Sequence, residues 1–367
     1  MSTKKVCFII PSLDPGGIET YLLRFLRFKD YSFEPVIIVR TNRRGELFES
    51  YSKLGVTIHF MPLGYANPKQ AYRYFSLLKK ISPDVVCDFN ANFAGLSLLL
   101  SSYAGIKKRI AFYRQGKNHF TPSFFRNNYN EWSRKMVNKY ATRILANSEA
   151  AFNFFFPHRG DDARFKVIYN GVDAEQYLAD ADRKALREGF NIPQDAFVVG
   201  HSGRLDPAKN HPAILKAAQK LISNDPNIYF VFCGLNTEKL ADEVRSMGIE
   251  NNVRLLGFRK DVPDILKTYD MYYFPSITEG QPNALIEAIL SGLPFVASDI
   301  KPIQEIVPKH LHNNLVAPTD VEEAVKAINT IKTNYDSYDT LADREWAKDF
   351  FSPAVRFGDF ETCLTTN

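Results

Sequence analysis

The sequence predicts an α/β protein with two domains, each built on a parallel sheet. Its 367 residues suffice for roughly two domains of ordinary size. Short apolar stretches alternate with amphipathic ones, a pattern typical of parallel strands joined by helices that cover both faces of a sheet. The alternation pauses near Asn170–Gly171 and then resumes, which predicts a first domain of residues 1–170 and a second of residues 171–346.

The first domain is predicted to contain six strands, with helices between several of them. The strands are Val6–Ile10, Val36–Val39, Thr57–Phe60, Val85–Cys87, Arg109–Tyr113 and Arg143–Ala146. The helices are Gly17–Phe28, Glu46–Leu54 and Lys69–Ile81. Ligands of such sheets bind beyond the carboxyl ends of the strands, so the loops at those ends are where we expect the chemistry.

The second domain is predicted to repeat this arrangement. Its strands are Phe197–Gly203, Ile228–Cys233, Val253–Leu256, Met271–Phe274 and Pro294–Ala297, and its helices are Asp180–Gly189, Pro212–Ile222, Thr237–Met247, Val262–Lys267 and Pro282–Ser291. Gly292 is expected to end the last of these helices, because glycine readily adopts the left-handed conformation at a helix end. Two final helices, Tyr338–Phe351 and Pro353–Leu364, are expected to pack across the domain junction.

Composition places the protein among ordinary globular chains. Hydrophobic residues make up 45% and charged residues 24%. The longest apolar stretch, Ala94–Ile106, contains three serines and is too short to span a bilayer. Met1–Lys5 leads directly into a strand, so no signal peptide is expected. The four cysteines show neither a close pair nor metal-site spacing, which fits a reducing, cytoplasmic location.

Charge is unevenly distributed along the chain, whose formal net charge is +5. The segment Ser101–Ala146 holds ten Lys or Arg and one acidic residue, Glu131, which gives it a charge of +9, and it also holds nine aromatic residues. A basic, aromatic surface favours peripheral contact with an anionic membrane. A solvated basic face over core aromatics is the ordinary alternative. No nucleic acid partner is expected, because no recognised binding motif accompanies the charge.

The most informative stretch follows the strand Met271–Phe274. Pro282 begins a helix there, and the start of a helix presents backbone N–H groups that attract anions. Glu279 precedes this helix and Glu287 lies inside it. Carboxylates repel phosphate but accept hydrogen bonds from hydroxyl groups, so the stretch suits a nucleotide-diphosphate sugar. The ordinary alternative is a strand, loop and helix with two surface glutamates.

Two further loops could hold phosphate. Gly16 and Gly17 follow the first strand and would let backbone N–H groups approach an anion closely, although a tight turn that needs glycine explains them equally well. The pair is not a G-x-G-x-x-G fingerprint, which disfavours a nicotinamide dehydrogenase. Arg204 and Lys209 follow Gly203 after a strand, so both cations can turn toward one diphosphate. The alternative is that either cation lies on a solvated rim.

Together these motifs resemble those of glycosyltransferase family 4, whose GT-B fold has two facing Rossmann-like domains. The resemblance covers nearly the whole chain in the expected order. Its motifs are Gly16-Gly17, Gly203-Arg204 with Lys209-Asn210, Leu256-Gly257-Phe258 with Asp261, and Glu279-Gly280 with Glu287. It implies an N-terminal acceptor domain, a C-terminal donor domain, and a C-terminal helix within residues 347–367 that crosses back to the N-terminal domain.

The resemblance also implies a role for each motif. Arg204 and Lys209 would hold the donor diphosphate, and Glu279 would face hydroxyl groups of the donor sugar. Glu287 would bind the ribose, and the amides of Asn283, Ala284 and Leu285 would contact phosphate. Phe258 and Arg259 would lie near the base. The loops of Gly16, Gly17, Gly203 and Gly280 would complete the donor site. The nucleotide sugar is then a co-substrate. Neither a cofactor nor a metal is expected, because fixed cations and N–H groups can stabilise the departing diphosphate.

One position departs from the family pattern. Many members carry a histidine after the fifth N-terminal strand, near the anomeric carbon, whereas Arg114 occupies the matching place here. Arginine stays protonated and cannot act as a base. It could instead hold the sugar or an anionic acceptor. His119 is the nearest histidine and would lie on the acceptor side, although a single loop histidine is usually just solvated.

The predicted function is therefore that of a retaining, metal-independent hexosyltransferase. It would move a sugar from a nucleotide-diphosphate donor to a saccharide or lipid-linked acceptor during assembly of a bacterial surface polysaccharide, such as capsule, lipopolysaccharide or exopolysaccharide. A lipid-linked acceptor at the inner face of the cell membrane would suit the basic segment. The alternatives are another GT-B enzyme, such as a nucleotide-sugar epimerase, and a non-catalytic binder of nucleotide sugars.

Overall fold

The protein forms two compact units of helices and parallel strands. The computed structural model describes residues 3–28, 31–64, 67–114 and 123–366. Unit 1 comprises Met1–Gly171 and Pro353–Asn367, and unit 2 comprises Val172–Ser352. The chain therefore passes from unit 1 to unit 2 directly after Gly171, at the pause in the strand–helix alternation of the sequence.

Unit 1 is built on a seven-stranded sheet with the order β3-β2-β1-β4-β5-β6-β7. All neighbouring strands are parallel. The strands are β1 Lys4–Ile10, β2 Phe33–Val39, β3 Thr57–Phe60, β4 Val85–Asp88, β5 Lys108–Tyr113, β6 Arg143–Ala146 and β7 Phe165–Val167. The sequence pattern does not predict β7, because three residues are too few to show a strand period.

Helices cover both faces of this sheet. They are α1 Gly17–Phe28, α2 Phe48–Ser52, α3 Pro68–Ile81, α4 Gly95–Tyr103, α5 Phe124–Tyr140 and α6 Glu149–Phe155. Alternate residues of β1 serve the two faces, since Val6 and Phe8 join one apolar cluster whereas Cys7 and Ile9 join the other. Burial on both faces explains why the central strands are apolar at consecutive positions.

Unit 2 repeats the plan with six parallel strands in the order β10-β9-β8-β11-β12-β13. The strands are β8 Phe197–Ser202, β9 Ile228–Cys233, β10 Val253–Leu255, β11 Met271–Phe274, β12 Phe295–Ser298 and β13 Leu315–Val316. The helices are α7 Glu175–Leu178, α8 Arg183–Gly189, α9 His211–Asn224, α10 Ala241–Ser246, α11 Val262–Leu266, α12 Asn283–Leu290, α13 Lys301–Gln304, α14 Val321–Thr333 and α15 Leu341–Phe350. Gly292, with φ +74°, follows α12 in the left-handed conformation expected there.

The last helix, α16 Pro353–Thr365, belongs to unit 1. Phe360 packs against Phe25 of α1 with ring centroids 4.8 Å apart, and Phe357 packs against Tyr21 at 5.7 Å. The predicted helix that crosses back is therefore α16. The sequence predicts that this crossing begins at residue 347, but residues 347–352 lie in unit 2, where α15 packs against α12.

Each sheet has one point where the strand order reverses. In unit 1 it lies between β1 and β4, and in unit 2 between β8 and β11. Loops that leave neighbouring strands toward opposite sides open a crevice at such a point, which is where ligands of this architecture bind. The residues after β8 and β11 in unit 2, and after β1 in unit 1, are therefore the first candidates for a functional site.

Candidate active site

Two loops meet at the reversal point of unit 2. The loop after β8 carries Gly203, Arg204 and Lys209, and the loop after β11 carries Glu279 and leads into α12. They are joined directly through backbone and side-chain hydrogen bonds. The Asn210 side-chain amide donates to the Pro275 carbonyl oxygen at 3.1 Å, and the Ile277 N–H donates to the Ala208 carbonyl oxygen at 2.8 Å.

The loop after β8 is also fixed at its start and in its middle. The Gly203 N–H donates to the Cys233 carbonyl oxygen at 2.8 Å. Gly234 lies so close that an added Cβ would be 2.2 Å from the Gly203 carbonyl oxygen, and its φ of +154° also favours glycine. The Asp206 carboxylate accepts from the Ala208 N–H at 2.9 Å and caps a short 3₁₀ turn, Pro207–Lys209. A loop fixed in this way holds its cations in place before a ligand arrives.

Buried polar side chains lie beneath this loop. His201 and His211 are each 1% exposed, and their rings meet edge to face with centroids 5.1 Å apart. His201 Nδ1 lies 3.0 Å from the Tyr273 carbonyl oxygen. Burial lowers the pKa of His201 to about 3 and lowers the pKa of His211, so both rings are neutral at pH 7. The Tyr272 hydroxyl accepts from the Ser202 N–H at 2.9 Å, which anchors the end of β8.

Lys209 and Glu279 are in direct contact. Lys209 Nζ lies 2.6 Å from Glu279 Oε1, and it is 5.0 Å from the centroid of the Phe274 ring. The two side chains are only 21% and 11% exposed. Arg204 is different, because its side chain is 60% exposed and its Nε lies 3.4 Å from the Asp206 carboxylate. The structure thus pairs one predicted cation with one predicted carboxylate and leaves the second cation near the surface.

Helix α12 starts as the sequence predicts, apart from the place of its proline. Pro282 is the N-cap, and the first helical residue is Asn283. The Leu285 N–H already donates to the Pro282 carbonyl oxygen at 3.2 Å, a long hydrogen bond. A phosphate at this helix start would therefore be received first by the amides that precede Leu285. Glu287 lies more than one turn into the helix and is half-buried.

The segment after β10 presents an aromatic ring and a guanidinium group. Phe258 is 56% exposed. Arg259 is held by Asp261 through two hydrogen bonds, one of them 2.9 Å from Nε to Oδ1. The paired guanidinium lowers the pKa of the Asp261 carboxyl. Gly257 precedes them with φ +63°, a conformation that favours glycine.

In unit 1, a carboxylate that the sequence pattern does not predict lies beside Gly16. Glu19, in the first turn of α1, is 6% exposed and accepts from the Ser12 hydroxyl at 3.2 Å. A Cβ at Gly16 would lie 2.5 Å from Glu19 Oε2, so Gly16 leaves room for this side chain. Burial raises the pKa of Glu19. The only sequence signal for it was an acidic residue on the apolar face of a helix.

Arg114 follows β5 and is fixed against α1. Its Nη2 donates to Asn170 Oδ1 at 2.6 Å, and its guanidinium carbon lies 3.5 Å from the centroid of the Tyr21 ring. Burial lowers the pKa of Arg114 to about 10, which leaves it protonated at neutral pH. It is therefore a fixed cation and not a base, as expected from its residue type. His119 lies outside the residues that the structure describes.

The basic segment Ser101–Ala146 is only partly a free surface. Arg109 donates to the carbonyl oxygens of Ile106 and Tyr140. Arg134 pairs with Glu131 at 2.8 Å. Of the aromatic residues, Tyr103 is 70% and Trp132 39% exposed, whereas Phe112 and Tyr113 are buried in the core. The segment therefore combines paired cations, exposed aromatic side chains and buried aromatic side chains, and contact with a membrane stays a prediction.

Two features are absent from the described residues, 3–28, 31–64, 67–114 and 123–366. Among those residues, no three His, Cys, Asp or Glu side chains are grouped closely enough to hold a metal ion. Across the same residues, no helix combines the length and the apolar character that a bilayer crossing requires.

Two family models match this chain, one in each unit. The model described as Glycosyltransferase Family 4 matches residues 15–176, and the model described as Glycosyl transferases group 1 matches residues 182–345. The two Rossmann-like units have the GT-B fold, and the matching family models identify the chain as a glycosyltransferase. The chain belongs to glycosyltransferase family 4.

Individual proteins are similar over most or part of the chain. The capsular polysaccharide biosynthesis glycosyltransferase CapH of Staphylococcus aureus is 26% identical over 309 residues, which are 82% of this chain and 83% of that protein. The UDP-Gal:alpha-D-GlcNAc-diphosphoundecaprenol alpha-1,3-galactosyltransferase of Escherichia coli is 32% identical over 174 residues, 46% of this chain and 45% of that protein. The crystal structure of Anabaena HepE in complex with UDP has a TM-score of 0.83 at 22% identity, covering 97% of this chain and 98% of that one.

Proposed function

We propose that the protein is a retaining glycosyltransferase that moves a sugar from a nucleotide-diphosphate donor to a saccharide or lipid-linked acceptor. The observation that carries this proposal is the pair of joined loops at the reversal point between β8 and β11. These loops bring cations, a helix start and carboxylates to the place where ligands of such sheets bind. The same groups match the parts of such a donor, namely a diphosphate and two hydroxyl-bearing sugars.

In this proposal unit 2 binds the donor. Arg204 and Lys209 hold the diphosphate, Glu279 accepts hydrogen bonds from hydroxyl groups of the transferred sugar, and Glu287 accepts them from the ribose. The remaining donor contacts come from Gly203, Gly280, the amides of Asn283, Ala284 and Leu285, and the exposed Phe258 with Arg259 beside the base. Gly16 and Gly17 lie in unit 1 after β1, at the reversal point of its own sheet.

The reaction breaks the bond between the anomeric carbon and the diphosphate oxygen and forms a bond from that carbon to an acceptor oxygen on the same face. Negative charge builds on the departing diphosphate, and fixed cations and N–H groups stabilise that charge without reorganising. The departing phosphate takes the proton of the acceptor hydroxyl. No metal ion is needed for this chemistry. Arg114, as a fixed cation, holds a sugar or an anionic acceptor group.

The similar proteins support a role in surface polysaccharide assembly. CapH is named for capsular polysaccharide biosynthesis, and the Escherichia coli enzyme is named for a diphosphoundecaprenol acceptor. Anabaena HepE has also been solved in complex with UDP-glucose. We infer that this protein adds a hexose from a nucleotide sugar to a saccharide or lipid-linked acceptor, and that unit 1 binds the acceptor.

A lipid-linked acceptor places the enzyme at the cytoplasmic face of the cell membrane. Three neighbouring helices of unit 1, α3, α4 and α5, expose aromatic side chains, namely Tyr72 at 72%, Tyr103 at 70% and Trp132 at 39%. Helix α3 carries four lysines or arginines and no acidic residue, and α5 adds the exposed Lys135 and Lys139. Exposed aromatics among cations suit the headgroup region of an anionic membrane.

The proposal is tested in two steps with the intact chain. Thermal unfolding is measured with UDP-, GDP- and ADP-sugars, since a ligand that binds the folded state raises the apparent stability. The stabilising donor is then incubated with undecaprenyl-diphosphate saccharides, and product and anomeric configuration are read by mass spectrometry and NMR. We expect free nucleoside diphosphate only when an acceptor is present, with retained configuration. Release without an acceptor, as in epimerisation or hydrolysis, binding without turnover, or inverted product would each contradict the proposal.

A further inference from the structure

The Lys209–Glu279 pair has a consequence for which ligands can bind. Its two side chains come from different loops and lie 2.6 Å apart with little exposure. The loops are joined by the hydrogen bond from Asn210 to Pro275 and by that from Ile277 to Ala208, so the pair is held by the fold rather than by chance surface contact. A ligand that binds Lys209 must therefore displace Glu279 from it, and a ligand that binds Glu279 must displace Lys209.

A bare nucleoside diphosphate competes poorly. It offers oxygens to Lys209 but nothing to Glu279, whose carboxylate would lose its cation in a sheltered place beside a second anion. Leaving a largely buried charge unpaired is unfavourable. An intact sugar nucleotide does not have this defect, because its hydroxyl groups can donate to Glu279 while its diphosphate takes Lys209.

We propose, building on the proposed function, that the Lys209–Glu279 pair determines specificity for the intact sugar nucleotide over the nucleoside diphosphate that remains after transfer. Departure of the sugar removes the hydroxyl donors from Glu279. The Glu279 carboxylate then pairs with Lys209 again. The nucleoside diphosphate thereby loses its contact with this cation and is released. Glu279 thus serves the reaction twice, as a ligand for the sugar and as the group that weakens product binding.

The test is a double-mutant cycle with the wild-type chain, Glu279→Gln, Lys209→Met and the double variant. Binding is measured by isothermal titration calorimetry with UDP and UDP-glucose, and with the guanosine and adenosine pairs, so that the nucleotide is found in the same experiment. We expect Glu279→Gln to bind the nucleoside diphosphate about tenfold more tightly, because Lys209 is released for phosphate, and to bind the sugar nucleotide no more tightly. Product inhibition of turnover should strengthen in parallel.

A general charge effect is separated by two controls. In the Lys209→Met background, Glu279→Gln should change diphosphate affinity less than twofold, because no cation remains to be released. Glu238→Gln removes an equal charge from an exposed glutamate near Gly257. It should also change the affinity for the nucleoside diphosphate less than twofold. The inference alone would be overturned if Glu279→Gln raised the affinity for the nucleoside diphosphate equally with and without Lys209→Met. It would also be overturned if Glu279→Gln by itself left this affinity unchanged. A wild-type chain that binds none of the three nucleotide pairs would overturn the proposed function as well.

Discussion

Lys209 shows how one side chain can serve both the fold and a ligand. Its ammonium group is held between the Glu279 carboxylate and the Phe274 ring, so it reaches the candidate site in a defined position. Arg204 lies nearer the surface, with its 60% exposed side chain beside Asp206. We expect Lys209 to contribute more to transition-state stabilisation than Arg204, because a preorganised and sheltered charge acts in a lower dielectric.

Removing a site residue should slow transfer strongly. Lys209→Ala or Glu287→Ala is expected to lose about 2–4 kcal/mol of transition-state stabilisation, which is roughly 30- to 1,000-fold in kcat/KM. Steady-state kinetics with the donor identified by thermal unfolding measures this loss. Lys216→Ala, which removes an exposed lysine from α9, is the matched control and should keep its activity. Unchanged kcat/KM in both site variants would refute the assignment of the site.

The buried His201 makes stability depend on pH. Burial, together with the nearby His211 and Lys209, lowers its pKa to about 3, whereas an unfolded chain protonates it near 6.5. Below pH 6.5 the unfolded state therefore binds a proton that the folded state does not, and stability falls by up to about 1.4 kcal/mol per pH unit until the folded pKa is reached. Above pH 6.5 this contribution is constant.

Urea unfolding between pH 7 and pH 5 measures this dependence. His201→Phe keeps a ring of similar shape but removes the titrating group, so its free energy of unfolding should fall less steeply over that interval. His158→Phe, at an exposed histidine of unit 1, is the control for replacing a histidine by a phenylalanine. Identical slopes for wild type and His201→Phe would show that His201 is not held neutral by burial.

At the scale of elements, the candidate site depends on how closely the loops after β8 and β9 approach each other. Gly234 lets its segment lie against the Gly203 carbonyl, and the Leu205 N–H donates to the Leu235 carbonyl oxygen at 2.8 Å. The pattern of residues around Gly203 pointed to this loop, because a glycine and two cations after an apolar strand are a local signal. The partner Gly234 carried no such signal, since the contact joins segments far apart in the sequence.

Gly234→Ala should therefore damage the site more than the fold. The new Cβ would meet the Gly203 carbonyl oxygen at 2.2 Å and force the loop of Arg204 and Lys209 to move. We expect donor affinity to fall at least tenfold, with destabilisation of roughly 1–3 kcal/mol from the clash and the unfavourable φ. Gly189→Ala is the control, because nothing lies within 4 Å of an added Cβ at Gly189. Calorimetry with the donor measures the change in affinity, and thermal unfolding measures the change in stability. Unchanged donor affinity in Gly234→Ala would contradict the role given to this contact.

For the whole molecule, the order of strands and helices was largely readable from the sequence, because burial on both faces of a parallel sheet leaves continuous apolar runs. The strands β7 and β13 were not predicted because they carry too few residues to show a period, and the longer helices α4, α5 and α14 were not predicted either. Candidate site chemistry was readable where residues close in the sequence carry it, as with Glu279 and Glu287, whose roles stay predictions. It was not readable for the buried Glu19, whose surroundings are created by the fold.

The exposed cations of unit 1 predict salt-sensitive binding to anionic vesicles. Lys135→Gln with Lys139→Gln should weaken binding to phosphatidylglycerol vesicles by about 2 kcal/mol, a factor of roughly 30, because each lysine near an anionic surface contributes about 1 kcal/mol. Co-sedimentation at low and high salt measures this. Lys216→Gln with Lys239→Gln in unit 2 is the charge-matched control. Equal binding of wild type to neutral phosphatidylcholine vesicles would contradict the membrane proposal.

The central claim is that unit 2 binds a nucleotide-diphosphate sugar through the loops after β8 and β11. Amide hydrogen exchange of the whole chain, read by mass spectrometry with and without the stabilising donor, tests it directly. We predict slower exchange in peptides that cover residues 203–210 and 279–287, and loss of that protection in Lys209→Ala. Protection that leaves both loops unchanged while it slows exchange elsewhere in the chain would contradict the claim.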